Sequence, residues 1–228
     1  MPERLIAIGD IHGCSAALEA LLGAIKPGPG DTIVTLGDYV DRGPDSRGVI
    51  EKLVRLSAQT HLVSLLGNHD KMMLDAFENT SDAIDRGRLL SETEEWLMCG
   101  GDATLASYGT NSPQGIPPAH FDFLSACPKY YETERHIFIH ANYAAELPLE
   151  EQPDYLLLWE SLRRHLPGPH YSGKTVVVGH TSQKTGEILD LDYLKCIDTW
   201  CYGEGWLTAL NVFSGKQWQA DKGGSLRR

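Results

Sequence analysis

Leu5-Ile6-Ala7-Ile8-Gly9-Asp10-Ile11-His12-Gly13 sets four apolar residues and a glycine before an aspartate and a histidine. Four apolar residues ending at a glycine read as a buried strand, and Asp10 and His12 then sit at its C-terminal end. Two residues apart, both side chains can turn to one face and grip a single cation. The arrangement recurs about 30 residues later and again after a similar interval. Thr32 to Leu36 runs into Gly37-Asp38-Tyr39-Val40-Asp41-Arg42-Gly43, and His61 to Leu66 runs into Gly67-Asn68-His69-Asp70. Helical patterns separate them: Leu18, Leu21, Leu22 and Ile25 share one face and stop before Pro27, and a second helix spans about Ser46 to Leu56. Strands alternating with helices predict a largely parallel α/β sheet whose C-terminal strand ends carry the chemistry.

Further along, Lys71 to Lys129 reads as helical, interrupted by Gly100-Gly101. Strands return as Ile137–Ile139, Thr175–Val178, Ile188–Leu191, Tyr193–Ile197, Leu207–Phe213 and Lys216–Gln219, with Ser214-Gly215 as a hairpin turn. His140 and His180 each follow one of these apolar runs, the same context as the first three motifs. One domain over 1–228 is expected, since no linker or repeat divides the chain.

The 42% apolar content supports a sizeable core. A net charge of −11 argues against nucleic acid or an acidic membrane surface as partner. The same acidity repels phosphorylated substrates unless bound metals invert the local field. Five cysteines without C-x-x-C spacing point to free thiols in a reducing compartment. No apolar run approaches the ~20 residues that cross a bilayer. With no signal-peptide pattern after Met1, a cytoplasmic protein is the expectation. Cys14 is expected to pack at the start of the first helix. His120, His165 and His170 stand in polar contexts that suggest solvent, and Asn79-Thr80-Ser81 reads as a polar loop. Trp200, Trp206 and Trp218 suggest core packing rather than a substrate platform, with a place at the site's rim as the alternative for Trp200 to Gly205, which follows a strand end.

Asp38 is positioned to share its carboxylate between the cation on Asp10 and His12 and a second one on Asn68, His140 and His180. Two metals ~3.5–4 Å apart clamp a phosphoryl group and lower the pKa of a bridging water, so that a metal-bridging hydroxide attacks phosphorus directly. His69 suits a general acid that protonates the leaving oxygen, with Asp41 behind it. Arg42 offers a fork to phosphate oxygens. Gly168-Pro169-His170-Tyr171-Ser172-Gly173-Lys174-Thr175 matches the nucleotide-binding P-loop letter for letter, but a strand follows it where that mechanism needs a helix.

Gly-Asp-Ile-His-Gly, Gly-Asp-Tyr-Val-Asp-Arg-Gly-Pro and Gly-Asn-His, with His140 and Gly179-His180 later, resemble the signature of the PPP-type metallophosphoesterases. Bacterial serine/threonine protein phosphatases are the closest match in size, and symmetrical dinucleoside tetraphosphatases are related. The likeness runs from Leu5 to about Leu210, taking in Trp96-Leu97-Met98, Gly100-Gly101-Asp102 and Ile197-Asp198-Thr199. It implies the calcineurin-like fold, a central β-sandwich of two mixed sheets flanked by helices. It also implies two divalent metals, commonly manganese and in some members iron or zinc. The implied ligands are Asp10, His12, Asp38, Asn68, His140 and His180, with Asp41 and His69 as the acid pair and Arg42 and Asn68 on phosphate. The implied reaction is phosphomonoester hydrolysis, on protein phosphoserine or phosphothreonine or on a small phosphate ester. Dinucleoside tetraphosphate hydrolysis and a non-catalytic metal-binding scaffold are the alternatives.

Three residues depart from the pattern. Asp70 stands where the protein phosphatases carry glutamate, a choice shared with the tetraphosphatases, whereas Asp41 favours the phosphatases. Ala141-Asn142 follows His140 where a glycine is common. Ser161 occupies the place of a second phosphate-binding arginine, and Arg163 is the nearest substitute.

Overall fold

A computed structural model describes residues 2–78 and 91–228. Asn79-Thr80-Ser81 lies outside the described residues. Strand β1 (Arg4–Ile8) is buried on both sides because its residues alternate between two cores. Leu5 and Ala7 face a second sheet, while Ile6 and Ile8 face helices. Helix α1 (Ser15–Ile25) buries Ala17, Leu18, Leu21 and Ile25, and Lys26 ends it in a left-handed conformation before Pro27. Cys14 is its N-cap residue and is buried, packing at the start of the helix as expected.

Strand β2 (Asp31–Thr35) pairs parallel with β1, helix α2 (Ser46–Ser57) follows, and β3 (His61–Ser64) pairs parallel with β2. Asp45 caps α2 by accepting a hydrogen bond from the Gly48 amide. Helix α3 (Asn68–Glu78) starts inside the third motif, so Asn68, His69 and Asp70 form its first turn. After it come α4 (Glu92–Trp96), a wide π-type turn (Leu97–Gly101), α5 (Asp102–Tyr108) and α6 (Pro118–Ser125). Gly100 makes the break between α4 and α5 at φ 111°, a conformation L side chains rarely adopt.

The second sheet comprises β4 (Tyr130–Glu132), β5 (His136–Ile139), β6 (Thr175–Val178), β7 (Leu189–Asp190) and β8 (Leu194–Cys196), in the order β4-β5-β6-β8-β7. Helix α7 (Asp154–Trp159) lies in the connection from β5 to β6. The chain then returns to the first sheet as β9 (Leu207–Asn211) and β10 (Gln217–Ala220), giving β10-β9-β1-β2-β3.

The two mixed sheets implied by the family resemblance are present, and the largely parallel sheet read from strand–helix alternation holds for β1, β2 and β3 but not for the chain as a whole. The tight connections β4–β5, β7–β8 and β9–β10 are too short for a crossover, so those pairs run antiparallel. Strand β4 has no sequence signal of its own. Three residues cannot show periodicity, and Thr133 makes its turn by bonding the backbone of His136. The hairpin loop is also longer than two residues: it spans Val212 to Lys216, with Gly215 at φ 72°. Leu5, Val34, Leu65, Phe138, Val177 and Leu210 belong to the dry layer between the sheets.

The P-loop look-alike is a turn leading into β6, and the Lys174 ammonium is bound to Glu132 Oε1 at 2.7 Å and to the Thr133 carbonyl at 2.8 Å. His170 is buried rather than solvated. Its ring nitrogens meet Ser172 Oγ at 2.8 Å and the Leu147 carbonyl at 3.0 Å, which offsets the loss of water. Among the described residues no helix is long and apolar enough to cross a membrane.

Candidate metal centre

The parallel strands β1, β2 and β3 end in the three motifs, and β5 and β6 end at His140 and His180. These ends meet where the two sheets join: His140 Nδ1 lies 2.7 Å from the Leu36 carbonyl, just past β2. His12, Asp38, Asp41, Arg42 and His180 all have positive φ, between 44° and 72°. They are five of the eight non-glycine residues with that geometry among the described residues. Left-handed backbone at such residues costs about 1–2 kcal/mol each and persists only where the surroundings enforce it.

Backbone carbonyls fix the imidazoles. His12 Nδ1 is 2.9 Å from the Val40 carbonyl, and His180 Nε2 is 3.1 Å from the Trp159 carbonyl. A carbonyl can only accept, so these nitrogens, like His140 Nδ1, carry the protons. The opposite nitrogens then turn inward as lone pairs. His140 Nε2 and His180 Nδ1 both lie 3.0 Å from Asn68 Oδ1, three acceptors converging with no proton between them. Burial lowers the pKa of His180 to about 4 and that of His12 well below its ordinary value, which keeps both rings neutral.

Asp38 stands between the two groups of imidazoles. Its Oδ2 is 3.3 Å from His12 Nε2 and its Oδ1 is 3.5 Å from His140 Nε2. Burial opposes its ionisation, while any positive charge taken up by the surrounding imidazoles, His140 first, pulls its carboxyl well below the usual range. His12, Asp38 and His69 offer ligand atoms within 4.8 Å of one another, and so do Asp38, His140 and His180. Asp10 stands outside the first trio. Its carboxylate accepts the His180 backbone amide at 2.9 and 3.1 Å. Burial, with Asp198 and Asp38 near it, pushes the Asp10 carboxyl well above its usual value, a disfavoured charge that a cation would relieve. Carboxylate oxygen, imidazole nitrogen and amide oxygen together suit divalent transition metals.

His69 Nδ1 lies 2.7 Å from Asp41 Oδ2, and its ring meets that of His12 edge-on at 4.8 Å. Asp41 is fully buried, and burial raises its pKa against the lowering effect of its hydrogen bonds. Those come from Trp96 Nε1 at 2.9 Å and Thr104 Oγ1 at 2.8 Å, besides His69. Spacing alone does not reveal either donor, because Thr104 is 63 residues from Asp41. Arg42 Nη1 is 2.9 Å from His12 Nε2, and its guanidinium lies 4.6 Å above the Tyr202 ring. Tyr202 comes from the 200–205 segment, for which core packing is the first expectation and the site's rim the alternative. Gly100 lets the α4–α5 break close over Arg42: a Cβ there would sit 3.0 Å from Arg42 Cγ.

Arg163 makes none of these contacts. Its guanidinium donates to the Ser182 carbonyl, two residues past His180, and the Ser161 hydroxyl meets Thr181 Oγ1 at 3.3 Å. Asp70 faces away from the imidazoles. Its buried carboxylate accepts the amides of Asp38 at 2.8 Å, Tyr39 at 2.9 Å and Gly67 at 3.0 Å, tying the second motif to the third. Asp70→Asn turns an amide NH2 toward backbone donors and is expected to cost about 3 kcal/mol of stability, read by urea unfolding. A loss below about 0.5 kcal/mol would show that the carboxylate is not the tether.

The calcineurin-like phosphoesterase family matches residues 3–210. Serine/threonine-protein phosphatase 1 of Salmonella typhimurium is 32% identical over 143 residues, 60% of this chain and 58% of that protein. A symmetrical bis(5'-nucleosyl)-tetraphosphatase of Paracidovorax citrulli is 47% identical over 73 residues, 32% of this chain and 25% of that protein. The chain thus spans little more than half of the first relative and a quarter of the second. A solved structure titled as a putative diadenosine tetraphosphatase superposes with a TM-score of 0.67 at 27% identity, covering 96% of this chain and 95% of its own. Two mixed sheets with helices outside and clustered metal-binding side chains at their joined strand ends agree with that match along most of the length, and the chain belongs to the calcineurin-like phosphoesterase family.

Proposed function

We propose that the chain is a binuclear metal-dependent phosphomonoesterase acting on protein phosphoserine and phosphothreonine. The observation that carries this reading is the buried His69–Asp41 pair beside Asp38, with Trp96 and Thr104 donating to the carboxylate. A serine or threonine alkoxide is a poor leaving group and needs a proton as it departs. The phosphate leaving group of a polyphosphate needs far less help, so a polyphosphatase gains little from such a pair.

In this reading Asp10, His12 and Asp38 hold one cation, and Asp38, Asn68, His140 and His180 hold the other, manganese suiting both. Two such cations supply Lewis acidity and a nucleophile made from water. Asp38 keeps both donor groups on a common carboxylate. Arg42, steadied on Tyr202, presents its guanidinium to phosphate oxygens, and Asn68 adds an amide contact. His69 gives the proton on Nε2 to the departing oxygen while Asp41 balances the charge on the ring.

Cleavage of a dinucleoside tetraphosphate is the second reading, favoured by Asp70 and by the likeness to the solved structure so titled. A phosphothreonine peptide and diadenosine tetraphosphate, each offered with manganese at equal concentration, separate the two. The proposal expects the larger kcat/KM on the peptide. The reverse order overturns it.

A further inference from the structure

A cleft of about 480 Å3 opens beside the metal centre, with Met72, Met98 and Trp159 as its apolar lining and Asp75, Glu92 and Glu95 among its acidic residues. Two of its lining residues adjoin the site. One is Cys99, whose neighbour Gly100 accepts the Arg42 amide at 3.2 Å. The other is Trp159, whose carbonyl accepts from His180. Met72 and Asp75 follow Asn68 on α3 by four and seven residues, which puts all three on one helix face. Two of its lining side chains thus share a helix face with Asn68.

Its chemistry is mixed in a particular way. Met98 is 77% exposed and Trp159 38%, a large apolar surface for solvent to cover. Around it, Glu95 is exposed and no described cation pairs with it, while Asp75 is bound to Lys71. A polyphosphate chain brought against these carboxylates meets like charge on a protein that already carries −11. An occupant with an apolar side chain and a cationic one meets complementary surface instead.

Resting on the phosphatase reading above, we propose that this cleft selects phosphoprotein segments by receiving an apolar side chain against Met72, Met98 and Trp159 and a basic side chain at Glu95. The thioether side chains suit a lining that adapts to several apolar residues. The basic residue contributes chiefly through attraction in a partly screened setting, so its effect is moderate and falls with salt.

The test uses the manganese-loaded protein and two phosphothreonine peptides, with Arg and Leu or with Glu and Ser within about three residues of the phosphate, a reach set by extended chain. Rates are normalised to aryl phosphate turnover by the same preparation. The basic peptide is expected to lead by about fivefold in kcat/KM, chiefly through KM. Glu95→Lys, a change on an exposed helical surface, is expected to bring that ratio to about one or below. Equal rates on both peptides, or a ratio that survives Glu95→Lys, would overturn the cleft's role and leave the phosphatase reading standing. Refusal of both peptides alongside cleavage of diadenosine tetraphosphate would overturn the two together.

Discussion

Asp38→Asn is expected to lower phosphomonoester turnover roughly 1,000-fold at fixed manganese while the protein stays folded. Asp38 is where the two halves of the site are joined, one oxygen toward His12 and the other toward His140. An amide keeps the shape and still accepts the His69 backbone amide, now 3.0 Å from Oδ1. It cannot offer negative charge to two cations at once, and one of its two atoms becomes a donor facing a metal. The loss should therefore appear in metal affinity as well as in rate, with the circular dichroism spectrum unchanged. Wild-type turnover in Asp38→Asn with metal present would remove the bridge from the account.

His69→Asn should produce an effect that depends on the leaving group. On a phosphoserine peptide the expected fall in kcat is about 10²–10⁴-fold, the usual worth of a positioned general acid. On an aryl phosphate, whose phenolate leaves without a proton, the fall should stay below about tenfold. The contrast matters because His69, Asp38 and His12 offer ligand atoms close enough to share a cation. If His69 were a ligand, its loss would weaken the metal site and slow both substrates alike. Its Nδ1 is committed to buried Asp41, an arrangement suited to holding a protonated ring. Equal losses on the two substrates would transfer His69 to the ligand set.

Much of this site was legible because its residues are local to strand ends. An apolar run stopped by glycine marks where a strand delivers its next side chains, as after β1, β2, β3 and β6, and β5 delivers His140 directly. The calcineurin-like fold and its two mixed sheets followed from the motif resemblance, whereas periodicity alone led to a mostly parallel sheet. Periodicity sees elements but not their partners, so the antiparallel return of β9 onto β1 left no trace in it. Short β4 carried too few residues to register.

The supporting contacts were less visible. Trp96 lay within the quoted likeness, but its indole bond to Asp41 depends on the fold closing over 55 residues. Tyr202 under Arg42 is of the same kind, set by a loop and not by spacing. Asp70, read from sequence as a departure, serves the backbone: a shorter acid still reaches three amides that shape the Asp38 turn. Arg163 shows the converse, since closeness in sequence to a vacant motif position did not bring its guanidinium to the phosphate site.

The proposed reaction requires two divalent cations held by Asp10, His12, Asp38, Asn68, His140 and His180 to hydrolyse a phosphomonoester. Phosphate release from a phosphothreonine peptide, followed as manganese is titrated into chelator-stripped protein, tests it most directly. No release is expected before addition, with turnover rising to saturation as two equivalents bind per chain. Release that is undiminished by stripping, or none after reloading with manganese, iron or zinc, would contradict it.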